Sequence, residues 1–228
     1  MDYANPLLIF ARKIVRNSKI KKFFSKFLYG KEYEIKVEKA LFNEIRTGDY
    51  VWDIGSNIGH YISIFWKKVG HNGKIFAYEP HPNTYQKLKN NFNQQNIICL
   101  NLALSNKTGI LNFSDKKNNE YNSIVNETCF EKKIIVEAET ADSVVKKFIA
   151  DIPNVIKIDV EGHELSVLQG MTEILTNKKL RCIMIEVHHQ IMDEMNLKNG
   201  VKKIVNILKL NNFRLNWVDP SHLLATRK

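Results

Sequence analysis

Residues Tyr50–Gly59 read Y-V-W-D-I-G-S-N-I-G, an apolar run that stops at an acid and breaks into a turn bounded by two glycines. A buried strand that ends this way and leads into a helical pattern is the entrance to a ligand cradle. The turn brings backbone N–H groups up to a small molecule, and Gly55 and Gly59 are expected to leave its approach clear. Spacing decides which ligand. Dinucleotide sites read G-x-G-x-x-G, and phosphate loops read G-x-x-x-x-G-K-[ST]. Here the pattern is D-x-G-x-x-x-G, with no Lys-Ser/Thr pair behind it. An aspartate two residues before the first glycine suits a ligand with an ammonium group rather than a pyrophosphate. S-adenosylmethionine is such a ligand.

Strand and helix patterns alternate from residue 48 onward. Tyr50–Ile54 reads as a first strand, Ile58–Val69 as a helix, Lys74–Glu79 as a second strand, 83–93 as a helix and Ile97–Leu104 as a third strand. Residues 106–140 break the rhythm and are expected to form a hairpin-bearing insertion and part of a substrate lid, with β-like runs at Ile110–Phe113 and Ile134–Glu137. The rhythm resumes with a helix capped at Thr140–Asp142 and running through Phe148, then a strand over Asn154–Val160. One helix is marked by Leu165, Leu168, Met171 and Leu175, a strand covers Arg181–Val187, and another helix carries Val201, Ile204, Val205 and Leu208. Phe213–Val218 and Leu223–Thr226 close the chain as a strand pair. Short βα connections imply a parallel sheet with helices on both faces, and the last hairpin would add an antiparallel strand. At 228 residues and 44% hydrophobic content, one sizeable α/β domain is expected.

The net charge of +10 is concentrated at the start. Residues 1–30 hold Arg12, Lys13, Arg16, Lys19, Lys21, Lys22 and Lys26 against Asp2 alone, so most of the imbalance belongs to a local arm. Ile20, Phe23, Phe24, Phe27 and Leu28 recur at helical spacing within it. The arm, taken as residues 1–35 before a catalytic domain at 36–228, is a basic amphipathic helix. It either packs its Phe stripe on the domain or touches an anionic membrane surface through residues 7–28. No run of eighteen apolar residues is present, so no spanning helix is expected. Cys99, Cys129 and Cys182 have neither metal nor disulfide spacing, which fits a reducing cytoplasm.

In an open α/β sheet, ligands bind at the carboxyl ends of the strands. The expected rim residues are Asp53, Glu79, Ala103–Ser105, Asp159 with Glu161, and Glu186 with His188. Glu79 at the tip of the second strand can accept both ribose hydroxyls of an adenosine. Asp159 closes an apolar strand and is expected to point into the cleft. Glu161 is read either as an acceptor-side group or as a helix-start acid. Glu164 is read as a cap, and His163 and His189 as solvated. A neutral imidazole at His188 could take a proton from a hydroxyl or amide, while the carboxylates and imidazole could equally hold a divalent ion such as Mg²⁺.

These residues resemble the FkbM-type methyltransferases. The similarity rests on D-I-G-S-N-I-G at 53–59, F-A-Y-E-P-H-P at 76–82, N-L-A-L-S-N at 101–106 and A-D-S-V at 141–144. It continues through I-K-I-D-V-E-G-H-E-L-S-V-L-Q-G at 156–170 and I-E-V-H at 185–188. The resemblance implies a class I, Rossmann-like three-layer fold with a mostly parallel seven-stranded sheet and an antiparallel C-terminal strand. It implies O-methylation of a sugar, glycan or natural-product hydroxyl with S-adenosylmethionine as donor. By motif, Asp53, Gly55, Ser56, Asn57 and Gly59 would surround the methionine part of the donor. Glu79 and Pro80 would meet the ribose, and Ala103, Leu104 and Ser105 would border the adenine. Asp159, Glu161, Glu186 and His188 would lie by the acceptor, with His188 or Asp159 as base, Glu186 orienting His188, and a divalent metal an option for all four. Two other readings compete. A nucleic-acid methyltransferase is encouraged by the basic arm but opposed by D-V-E-G where an N/D-P-P-Y-type loop would stand. A catalytically silent binding module is opposed by the intact rim acids.

Overall fold

The computed structural model describes residues 30–114, 133–197 and 199–227. The amphipathic arm before residue 30, Cys129 and the centre of the insertion lie outside the described residues. The elements are α1 (Gly30–Glu44), β1 (Tyr50–Ile54), α2 (His60–Val69), β2 (Lys74–Tyr78), α3 (Pro82–Asn91), β3 (Ile97–Leu100), β4 (Ala103–Leu104), β5 (Gly109–Ser114) and β6 (Lys133–Glu139). They continue with α4 (Ala141–Lys146), β7 (Val155–Ile158), α5 (Glu164–Gln169), α6 (Thr172–Thr176), β8 (Cys182–Glu186), α7 (His189–Glu194), α8 (Gly200–Leu210), β9 (Arg214–Trp217) and β10 (His222–Thr226).

Seven strands form one sheet in the order β3-β2-β1-β7-β8-β10-β9. All run parallel except β10, which pairs antiparallel with both β8 and β9. Alternation along each strand divides the core into two layers. Trp52, Ile54, Tyr78, Ile156, Ile158, Ile183 and Ile185 face α5, α6 and α8. Val51, Ile75, Val155, Cys182 and Met184 face the other way, with Val37 and Leu41 of α1 and Ile62 and Phe65 of α2. Helix α1 thus crosses the expected boundary at residue 35 and belongs to the core.

Two elements differ from the sequence reading, each for a local reason. The expected third strand breaks at Asn101–Leu102: Asn101 Nδ2 turns back to the carbonyls of Glu79 (2.9 Å) and Pro80 (2.8 Å). Ala103–Leu104 then leaves the main sheet and pairs with β6, which pairs antiparallel with β5, giving a three-stranded sheet. The single helix expected over Leu165–Leu175 is two, α5 and α6. A Cβ on Gly170 would sit 1.9 Å from the Ser105 carbonyl oxygen, so the chain turns there. Asp142 of α4 accepts the N–H groups of Glu173 and Ile174 (3.0 Å each), capping the new helix from outside.

Candidate active site

The strand ends open two adjoining features, a cleft and a polar cluster. The cleft lies over the ends of β1, β2 and β7 and is open to solvent at its mouth. Its wall includes Gly55, Asn57, Glu79, Pro80, Ala103, Leu104, Asp159 and Glu161 from the sequence reading, together with Thr84, Leu102, Phe113 and His163. Phe113 comes from β5, so the insertion supplies part of the wall.

Glu79 is 7% exposed. Its two carboxylate oxygens accept the N–H groups of Asn57 (3.0 Å) and His81 (2.8 Å). Asn57 can aim its N–H this way because it adopts a left-handed φ of 50°. Burial pushes the Glu79 carboxyl up to about 7, and the two N–H donors only partly offset this. A carboxylate has about four lone-pair positions, so two remain for a pair of hydroxyls in the cleft. Leu102, Leu104, Phe113 and Val160 make the adjoining wall apolar, as a flat base requires.

The two glycines are also needed by the packing of the turn itself. A Cβ on Gly55 would stand 1.8 Å from the Asp159 carbonyl oxygen, and one on Gly59 would stand 2.1 Å from the Phe92 ring. Both have φ near +90°, so they let the turn pack on its own protein. Ser56 is buried and donates to the Asp53 carbonyl at 2.7 Å.

Asp53 departs from expectation. It is 0% exposed, lies on the α2 side of the sheet and does not border the cleft. Cross-strand register places it beside Lys157, whose Nζ is 3.4 Å from Asp53 Oδ1 and 3.3 Å from Asp159 Oδ2. Burial works against charge on Lys157, but Asp53 and Asp159 outweigh it and hold the ammonium protonated.

The polar cluster is built by the D-V-E-G-H-E turn. Glu161 (φ 49°) and Gly162 (φ 97°) take successive left-handed conformations, and a Cβ on Gly162 would meet Ile191 at 2.5 Å. The turn sends Glu161 to His188 Nε2 at 3.1 Å, with Asp159 3.8 Å from the same nitrogen. Glu164 is not a solvated cap. It is 0% exposed, and its Oε1 accepts both the Gly162 N–H (2.9 Å) and His188 Nδ1–H (2.7 Å). Burial favours a neutral His188, yet the Glu164 hydrogen bond and the charges of Glu164, Glu161 and Asp159 push it up to about 9. With no cation at Nε2, the surrounding carboxylates favour the protonated ring over the neutral imidazole expected from the sequence. Burial pushes Glu161 up to about 7; His188 opposes the rise, and Asp159, Glu186 and Glu164 reinforce it.

Glu186 lies 3.9 Å from His188 Nε2 and 3.4 Å from His222 Nε2. His222 pairs through Nδ1 with Asp219 at 3.0 Å, a connection the sequence did not suggest. His163 is on the cleft wall rather than the surface, with Nε2 2.9 Å from Ser105 Oγ, and burial lowers it to about 4. His189 stacks on Trp217 with ring centroids 5.9 Å apart. Among the described residues, Asp159, Glu161 and His188 can offer one ligand atom each with all three atoms within 4.8 Å of one another.

A family model described as the methyltransferase FkbM domain matches residues 53–215. The chain belongs to the FkbM methyltransferase family. The hexuronic acid methyltransferase AglP of Haloferax volcanii is 31% identical over 182 residues, covering 78% of this chain and 73% of that protein. Methyltransferase sdnD of Sordaria araneosa is 28% identical over 161 residues, covering 56% and 62%. The crystal structure of an FkbM methyltransferase from Methylobacillus flagellatus KT shares the fold, with a TM-score of 0.51 at 18% identity over 83% of this chain and 50% of that one. The FkbM protein described here is thus an S-adenosylmethionine-dependent methyltransferase with the class I sheet. Its cleft suits the donor: Glu79 has the acceptor capacity for a ribose, and the apolar wall beside it suits the base.

Proposed function

We propose that this FkbM methyltransferase methylates a sugar hydroxyl held over Asp159, Glu161 and His188. The observation that carries the reading is the convergence of these three side chains beside the cleft, with Asp159 and Glu161 on its wall. The name of the Haloferax relative, a hexuronic acid methyltransferase, supports a sugar as the acceptor class.

When bound, S-adenosylmethionine supplies an electrophilic methyl group whose departure leaves a neutral thioether. The protein's work is placement. Glu79 fixes the ribose and the apolar wall fixes the base, so the acceptor oxygen can be held in line with the methyl. Orientation of this kind accounts for roughly 7–11 kcal/mol of a barrier. An alcohol is a weak nucleophile, and its proton must leave. Asp159 and Glu161 are the carboxylates on the cleft wall in reach of that site, and general-base help is worth roughly 10²–10⁴-fold.

Two carboxylates and an imidazole form a donor set that fits a divalent cation able to take both oxygen and nitrogen, such as Mn²⁺, while Mg²⁺ would lean on the two carboxylates. Such a cation would lower the pKa of the acceptor hydroxyl and template it. Glu164 fits this role as well, since it holds Nδ1 and aims Nε2 at the other two ligands.

The test is transfer of labelled methyl from S-adenosylmethionine into hexuronic acid and neutral hexose acceptors, with and without chelator. Label in a sugar ether, lost with chelator and restored by Mn²⁺ or Mg²⁺, is the expected result. Label appearing instead in RNA or on nitrogen would overturn the acceptor, and full turnover under chelation would overturn the cation.

A further inference from the structure

His163 lies on the cleft wall but takes no part in the polar cluster of Asp159, Glu161 and His188. It closes α5 at its N-terminal side, lines the cleft beside Val160 and Leu104, and meets Ser105 at the end of β4. The Ser105 hydroxyl has one proton, and Asn106 Oδ1 lies 3.3 Å away as its acceptor. With the hydroxyl proton directed to Asn106, the 2.9 Å contact is made by an Nε2–H of His163; the opposite tautomer would turn the hydroxyl to Nε2 instead. With Nε2 protonated, Nδ1 is left as a hydrogen-bond acceptor on a side chain that lines the cleft. The same cleft carries the apolar side chains of Leu102, Leu104, Phe113 and Val160.

We propose that His163 reads the base of the donor, its Nδ1 accepting from the exocyclic amine of adenine while Ser105 and Asn106 hold the ring in that tautomer. The inference rests on the donor lying with its ribose at Glu79, as argued under the proposed function. Adenine offers an amine donor at this edge, and hypoxanthine offers a carbonyl oxygen that would face Nδ1 as a second acceptor. A buried site built to bond one group rejects the analogue that lacks it. His163 is therefore a specificity-determining residue and takes no part in the methyl transfer.

The experiment compares dissociation constants of S-adenosylhomocysteine and S-inosylhomocysteine by calorimetry on the full chain. Wild type is expected to favour the adenosyl ligand by about tenfold or more, the worth of one hydrogen bond at a buried site. In His163→Phe the preference falls to within about twofold. Because both ligands are measured on one preparation, any loss of folded protein cancels in the ratio. Wild type binding the two ligands equally, or His163→Phe keeping the wild-type ratio, overturns the role of His163 while leaving the donor cleft standing. Failure of wild type to bind S-adenosylhomocysteine at all would instead overturn the cleft assignment and this inference with it.

Discussion

Oε1 of Glu164 lies 2.7 Å from Nδ1 of His188, and the same oxygen accepts the Gly162 N–H at 2.9 Å. One buried carboxylate thus fixes both the turn that carries Glu161 and the ring that Glu161 faces. Partners of this kind set ring orientation and tautomer, and their loss costs roughly 10–100-fold in metal affinity or activity. Glu164→Gln keeps the shape but replaces the charged acceptor with a neutral amide. We expect a fall of about that size in kcat and in Mn²⁺ affinity, with the dissociation constant of S-adenosylhomocysteine unchanged. Steady-state kinetics, metal titration and calorimetry on the same protein check this.

In the proposed reading, Glu79 couples donor binding to pH. Its carboxyl sits at about 7 in the fold against an ordinary 4.5, so the folded state holds the proton more tightly than the unfolded chain. The stabilisation is fully present below about 4.5 and is lost as pH rises through 7. Above that, burying the charge costs on the order of 3 kcal/mol. Glu79→Gln removes the titration. Without donor, the variant should match wild type near pH 4.5 and exceed it in stability at pH 8, while binding S-adenosylhomocysteine more weakly. Thermal melts across pH, with and without ligand, are the measurement.

His222 has the same sign by a different route. Burial opposes its charge, but Asp219 and Glu186 push it up to about 9. Its ion pairs therefore stabilise the fold fully below about 6.5, and the contribution disappears as pH rises through 9. His222→Gln should lower Tm most in the acidic part of this range and converge on wild type above pH 9. A pH-independent difference in Tm would contradict the Asp219–His222–Glu186 connection.

Lys157 is the cation between Asp53 and Asp159, buried with Asp53 and reaching the partly exposed Asp159. Lys157→Met leaves the Asp53 charge unpaired in the interior and should cost roughly 3–5 kcal/mol in urea unfolding. Adding Asp53→Asn removes the orphaned charge, so the double variant should recover a large part of that loss. Additive losses in the cycle would show that the two residues act independently.

Periodicity made most of the scaffold legible. Apolar runs of strand length, each ending at an acid, located the rim at Asp53, Glu79, Asp159 and Glu186, and the sheet puts all four at strand ends or just beyond. The closing hairpin and the antiparallel β10 were equally readable from Asp219-Pro220 between two short strands. The break at Asn101 was not, because nothing in a strand-like run signals that a side chain will bond two carbonyls on a neighbouring strand end. Lys157 could have been found: it has the parity of Asp53 on an adjacent parallel strand, which puts both on one face.

The sequence by itself determined the fold, the donor turn and which strand ends carry acids, since alternation and spacing are properties of the local chain. Tertiary structure decided what each of those acids does. Asp53 turned to the far face and met a lysine, Glu164 left the surface to hold His188, and His222 arrived from the last hairpin to hold Glu186. The physical reason is that a carboxylate's role is set by the group opposite it. That group comes from strand order, which no single segment encodes, acting together with the local left-handed turn at Glu161–Gly162.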